Sequence, residues 1–161
     1  REYPLNRFKK VFADMTEKCI NGGTAFHLAC ENGEAGITGM IMKNSSRLNI
    51  DLNAKAYGGK TAFHEACRNG HKKVTKMLIK NSAEFNIDLN AKDNDGWTAF
   101  HHACYWGRKS IVEFMISNSD SFNLDLKARD NDGKTGFQLA QDGGKTDVVN
   151  LIKSKMPDIA F

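Results

Sequence analysis

A four-residue word returns along this chain at a fixed interval. Thr-Ala-Phe-His occupies 24–27, 61–64 and 98–101, and an altered copy, Thr-Gly-Phe-Gln, occupies 135–138. The step is 37 residues each time. The same step relates Cys30, Cys67 and Cys104, and Gly33, Gly70, Gly107 and Gly144. It also relates Asp51-Leu52, Asp88-Leu89 and Asp125-Leu126. A unit this short cannot bury its own apolar face. It must stack on its neighbours, so the chain is expected to form a solenoid.

Each unit reads as helix, turn, helix, long loop. Thr24, Thr61, Thr98 and Thr135 suit an N-cap, where a hydroxyl accepts a free backbone N–H. A short helix follows and stops at the repeated glycine, which tolerates left-handed backbone. A second helix is marked by Val74, Met77 and Leu78, and by Ile111, Phe114 and Met115, at helical spacing. It is expected to end at Asn44-Ser45, Asn81-Ser82 and Asn118-Ser119. An extended stretch with alternating apolar residues then follows: Leu48, Ile50, Leu52; Phe85, Ile87, Leu89; Phe122, Leu124, Leu126. A turn such as Asp93-Asn94-Asp95-Gly96 closes the unit.

The third unit runs Asp93-Asn-Asp-Gly-Trp-Thr-Ala-Phe-His-His-Ala-Cys-Tyr-Trp-Gly-Arg108. This resembles the ankyrin-repeat pattern, roughly D-x-x-G-x-T-P-L-H-x-A-A-x-x-G-H. The resemblance covers about residues 19–155 and recurs four times in register. It implies an all-α ankyrin solenoid of stacked helix-turn-helix units with β-turn or hairpin loops. Pro-Leu is replaced by Ala-Phe, and the second Ala by Cys. The period exceeds the family's 33 by four residues, which are expected in the loop after the second helix. The chain is divided into an N-terminal capping helix over 1–18, repeats over 19–55, 56–92 and 93–129, and a C-terminal capping repeat over 130–161. The first cap rests on Leu5, Phe8, Val11, Phe12, Met15 and Cys19, with Arg7, Lys9, Lys10 and Lys18 on the other face. The last rests on Gln138, Gln141 and Lys153, which place polar groups where the array stops. Gly36 and Gly39 fit none of this; each weakens its helix by about 1 kcal/mol relative to Ala.

Composition narrows the function. No apolar run approaches the roughly 20 residues that cross a bilayer, and no signal peptide opens the chain. With no initiator Met, it reads as a fragment or a processed chain. A net charge of +4 is too scattered to argue for nucleic acid. Cys19, Cys30, Cys67 and Cys104 lack C-x-x-C spacing and read as free, buried fillers. Free thiols imply a reducing, intracellular compartment, cytoplasmic or nuclear.

The chemical lookalikes fail. His27, His64 and His101 recur at one slot and read as structural hydrogen-bonding residues. His101, His102 and Cys104 could suggest zinc, but neighbours on a helix point apart. The Gly-Lys-Thr triplets lack the preceding P-loop glycine, with Ala54, Ala128 and Leu139 in its place. The Asp-Asn-Asp-Gly turns lack a first calcium ligand, with Ala91 or Ala128 there. Asn44-Ser45-Ser46 is a formal glycosylation sequon, silent without a secretory signal. No catalytic residue, metal or cofactor is therefore expected.

Function is sought where the period breaks. Trp97 replaces Gly23, Lys60 and Lys134; His102 replaces Leu28, Glu65 and Leu139. Tyr105-Trp106 replaces Glu31-Asn32, Arg68-Asn69 and Asp142-Gly143. Sister residues that prefer water place the aromatics on the surface, where such clusters anchor interfaces. The resemblance implies protein–protein recognition through the concave face. The expected contacts are Trp97, Tyr105, Trp106 and His102, rimmed by Tyr57, Lys60, Glu65, Arg68, Asn94, Asp95 and Arg108. The partner is expected to be a protein, with no nucleic acid and no membrane, and the chain a monomer. The basic run His71, Lys72, Lys73, Lys76 and Lys80 is a second surface, read first as a solvated helix face. Other readings are a structural spacer within a longer chain, an engineered binder on an ankyrin scaffold, or a small-molecule or nucleic-acid binder that stacks on aromatics.

Overall fold

The computed structural model describes residues 24–159. The expected capping helix over 1–18, and Cys19 and Gly23 with it, lie outside the described residues. Among the described residues nine α-helices follow in order: α1 (Ala25–Glu31), α2 (Ala35–Leu48), α3 (Ala62–Asn69), α4 (Lys72–Lys80), α5 (Ser82–Phe85), α6 (Ala99–Tyr105), α7 (Lys109–Phe122), α8 (Gly136–Asp142) and α9 (Thr146–Lys155). Among the described residues there is no strand. The helices form two layers. First helices α1, α3, α6 and α8 stack in sequence, and second helices α2, α4, α7 and α9 stack behind them.

Each first helix starts where its threonine predicts. In the second unit Thr61 Oγ1 accepts from the His64 backbone N–H, and the His64 ring reaches back to the Thr61 N–H at 3.0 Å. The other ring nitrogen, Nε2, donates to the Trp97 carbonyl of the next unit at 3.0 Å. That carbonyl can only accept, so the proton sits on Nε2 and Nδ1 is left to accept. His27 and His101 do the same toward Lys60 and Lys134. One imidazole thus caps its own helix and ties two units together.

Two of the second helices differ from the sequence expectation. α4 stops at Asn81 as expected, but α2 and α7 run on through their Asn-Ser. In α2, Asn44 Nδ2 donates to the Met40 carbonyl and Ser45 Oγ to the Met42 carbonyl. Asn118 and Ser119 bond back to Phe114 and Ile116 in α7. These polar side chains bond to their own helix rather than breaking it. Both helices run 14 residues and stop at a left-handed asparagine, Asn49 (φ 53°) or Asn123 (φ 50°). In the second unit the backbone breaks at Asn81, and α5 supplies the last turn before Asn86 (φ 52°). The four residues beyond the family period are therefore an extra helical turn, not loop. Leu48, Phe85 and Phe122 belong to that turn rather than to an extended stretch.

The core fills the space between the layers. Cys30, Cys67 and Cys104 are buried and free at one repeated slot. Burial pushes the Cys30 thiol up to about 12, and the other two further in the same direction. Beyond the helices, turn tips join unit to unit. The Asn94 N–H donates to the Gly58 carbonyl and the Asn131 N–H to the Asp95 carbonyl. Gly96 (φ 79°) sits at this seam; a Cβ there would lie 2.7 Å from the Asn131 backbone nitrogen.

Candidate partner-binding site

The turn at Asp93–Gly96 aims the first aromatic. Asp93 Oδ1 accepts from the backbone N–H groups of Asp95 and Trp97, at 3.0 and 2.9 Å. Its other oxygen faces inward and accepts from His102 Nε2 at 2.8 Å. Burial opposes the Asp93 charge. The bonds from His102 and the two backbone N–H groups outweigh it and hold the carboxyl below the ordinary range. Asp130, one period later, repeats the scheme. Its Oδ1 accepts from Asp132 and Lys134, and its Oδ2 from Trp97 Nε1 at 3.1 Å.

The four rings make one contiguous chain. Trp97 lies 5.0 Å from His102 and 5.1 Å from Tyr105, centroid to centroid. Tyr105 meets Trp106 edge-on at 5.3 Å. The Arg68 guanidinium sits 5.3 Å from the Trp106 ring centre and pairs with Glu65 at 3.5 Å. The cleft beside these rings measures about 400 Å³.

The expected contact residues separate. Trp106 is 41% exposed, and Trp97 and Tyr105 are half-buried. His102 is 4% exposed, so its place on the surface is corrected. The Asp93 carboxylate draws it inward, and it backs Trp97 from below. Its Nδ1 is the one buried side-chain nitrogen or oxygen without a partner among the described residues. Arg108 is half-buried and does not line the cleft. Its Nε donates to the Arg68 carbonyl at 2.8 Å, a tie between units, just as His71 bonds to the Glu31 carbonyl. Lys60, Arg68 and Asp95 line the cleft. Asn94 is exposed at the tip seam, and Glu65 is half-buried beside Arg68. Tyr57 is 76% exposed on the preceding turn but does not line the cleft.

The fourth unit contributes what the sequence reading did not include. Asp130, Asp132, Lys134, Leu139 and Asp142 line the cleft from the far side, with Lys134 bonded to Asp142 at 2.6 Å. The signal was in the period, since Asp130 and Leu139 stand one step beyond Asp93 and His102. Treating this unit as a cap concealed it. The three residues weighed and set aside as zinc ligands bond in different directions. His101 bonds to Thr98 and Lys134, His102 to Asp93, and Cys104 lies in the core. Among the described residues no three His, Cys, Asp or Glu side chains are placed to hold a metal ion.

The stacked capped helices define a class of repeat protein, and comparison with family models gives its name. The model described as ankyrin repeats (3 copies) matches residues 5–90 and 85–160. The chain belongs to the ankyrin-repeat family. Ankyrin repeats are in general protein–protein interaction modules and are typically non-catalytic. No curated protein matches the chain. Among the described residues no helix is long and apolar enough to cross a membrane.

Proposed function

We propose that this chain is a non-catalytic module that binds a protein partner. The contact face is the one formed by turn tips and first helices, concave in this family. Trp106 anchors the partner, and Tyr105 and Trp97 support it from beneath. The supporting observation is the continuous ring chain from His102 to Trp106, at slots that hold glycine, charged or amide residues in most sister units. It ends in an exposed indole, the type of side chain enriched at interface hot spots. Asp95, Asp130, Asp132 and Asp142 offset Lys60, Arg68 and Lys134 around the rings, so the cleft lacks the net positive charge that nucleic acid needs. The chain acts as a monomer and as one domain, with units divided at 19–55, 56–92, 93–129 and 130–161.

The test is affinity capture from cell lysate, with the parent chain beside Trp106→Ala and Tyr105→Ala/Trp106→Ala. Circular dichroism establishes that each variant is folded. A protein retained by the parent and lost by both variants supports the reading. Equal capture by all three removes the site from the third unit.

A further inference from the structure

Two glycines on α2 occupy slots that sister helices fill with larger residues. Gly36 stands where Lys73, Ser110 and Asp147 stand, and Gly39 where Lys76, Glu113 and Asn150 stand. Gly39 weakens the helix interior relative to Ala, and Gly36 its first turn to a lesser degree. Packing among the described residues does not require them. There a Cβ on Gly36 would meet nothing within 4 Å, and on Gly39 only the Met77 side chain, at 3.6 Å. Their effect is to leave a groove of about 500 Å³ open between α2 and α4. Gly36, Gly39, Met40, Met77 and Phe85 form its floor, and Lys43 its edge. At the next junction Lys76 lies over the Phe114 ring at 5.0 Å and fills the equivalent place. Met40 is 43% exposed.

The floor is apolar and rich in thioethers, which adapt to irregular apolar shapes. The surroundings are basic. Lys73 and Lys80 lie four residues before and three after Met77, on its face of α4. Lys72 and Arg47 are also exposed nearby, against Glu34 and Glu84 at the two ends. We propose that this groove docks an acidic amphipathic helix of a protein partner. The glycines let a helix come close, its apolar residues at i, i+3 and i+4 enter the groove, and its carboxylates meet the lysines. The chain's own residues 5–19 fit less well. They carry Arg7, Lys9, Lys10 and Lys18 beside their apolar residues, and like charges repel at this rim. The inference is independent of the aromatic face.

A fluorescein-labelled peptide of about 18 residues, with Leu at helical spacing and Glu elsewhere, is titrated with the full chain by anisotropy. Controls replace Glu by Lys or scramble the order. The acidic peptide should bind about tenfold or more tighter than either control. Gly39→Lys fills the groove as Lys76 does, and should cost about tenfold in affinity without lowering the melting temperature. Lys43→Glu/Lys80→Glu should weaken binding similarly, and Trp106→Ala should leave it unchanged. The proposal is overturned if the acidic peptide binds no better than the scrambled one, or if neither groove variant changes its affinity. A Gly39→Lys chain that melts lower without peptide reassigns the groove to the N-terminal segment. A parent dimer that Gly39→Lys dissociates reassigns it to a second copy.

Discussion

His64 and His101 have imidazoles kept neutral by their surroundings. Burial pushes the His64 ring down to about 4, with nearby His102 adding to it, and lowers His101 in the same sense. In the unfolded chain the ring takes its proton near pH 6.5. Between these values the unfolded state holds the extra proton, so stability falls as pH drops from about 6.5 toward 4 and is fully present above. The His64 contribution is at most about 3 kcal/mol. Thermal melts from neutral to mildly acidic pH should show the decline, and His64→Gln should flatten it. Gln138 fills this slot in the fourth unit and still accepts from the Thr135 N–H at 2.9 Å. A parent melt that does not change across the window argues against a neutral His64. The two tryptophans should also separate. Trp106→Ala should weaken partner binding by about 2 kcal/mol, near 30-fold, with little change in melting. Trp97→Ala should lower the melting temperature too, because it removes the Asp130 bond and the ring against His102. Equal thermal effects would contradict that division.

At the scale of elements, α2 is the informative helix. Its 14 residues and left-handed asparagine match α7, but its exposed face does not match its sisters. Gly36→Ala should stabilise the chain by less than the about 1 kcal/mol of an interior position, since Gly36 sits in the first turn and the new methyl meets no described neighbour. Denaturant titration reads this as a higher midpoint at unchanged slope. A lower midpoint would mean that a contact at Gly36 demands the small residue. The sequence marked the starts of the helices well, because Thr-x-x-His is a local capping device. It placed the end of α4 at Asn81 but stopped α2 and α7 a turn too soon. Asn and Ser usually signal a stop, and only the back-bonds to Met40 and Phe114 show that the helix continues through them.

The whole molecule is held together by bonds that repeat with the period. Asn53 Nδ2 donates to the Asn86 carbonyl, and its Oδ1 accepts from the Asp88 N–H. Asn90 repeats both toward Asn123 and Asp125. Lys55 and Lys92 each donate to a carbonyl 37 residues on. A solenoid has no contacts beyond nearest neighbours, so such ties set how cooperatively it unfolds. Asn90→Ala should cost about 1–2 kcal/mol and broaden the urea transition. Hydrogen exchange should speed up in the fourth unit before the second. Uniform acceleration along the chain would show that the ladder does not couple the units.

Legible in the residues alone were the solenoid, the 37-residue step, the capping threonines and the aromatic cluster of the third unit. Each of these is a local or periodic property, and a fixed step of 37 residues displays it without any coordinates. Tertiary structure decided which way each side chain faces. His102 and Trp106 were equally unusual in the sequence, yet Asp93 draws one into the core and nothing comparable holds the other. The fourth unit's share of the cleft was hidden for the same reason. Asp130 reaches Trp97 across 33 residues of chain and a unit boundary, whereas Asp93, one period earlier, accepts from His102 within its own unit. A period aligns slots, but a side chain's exposure depends on which partner its own unit or the next places beside it.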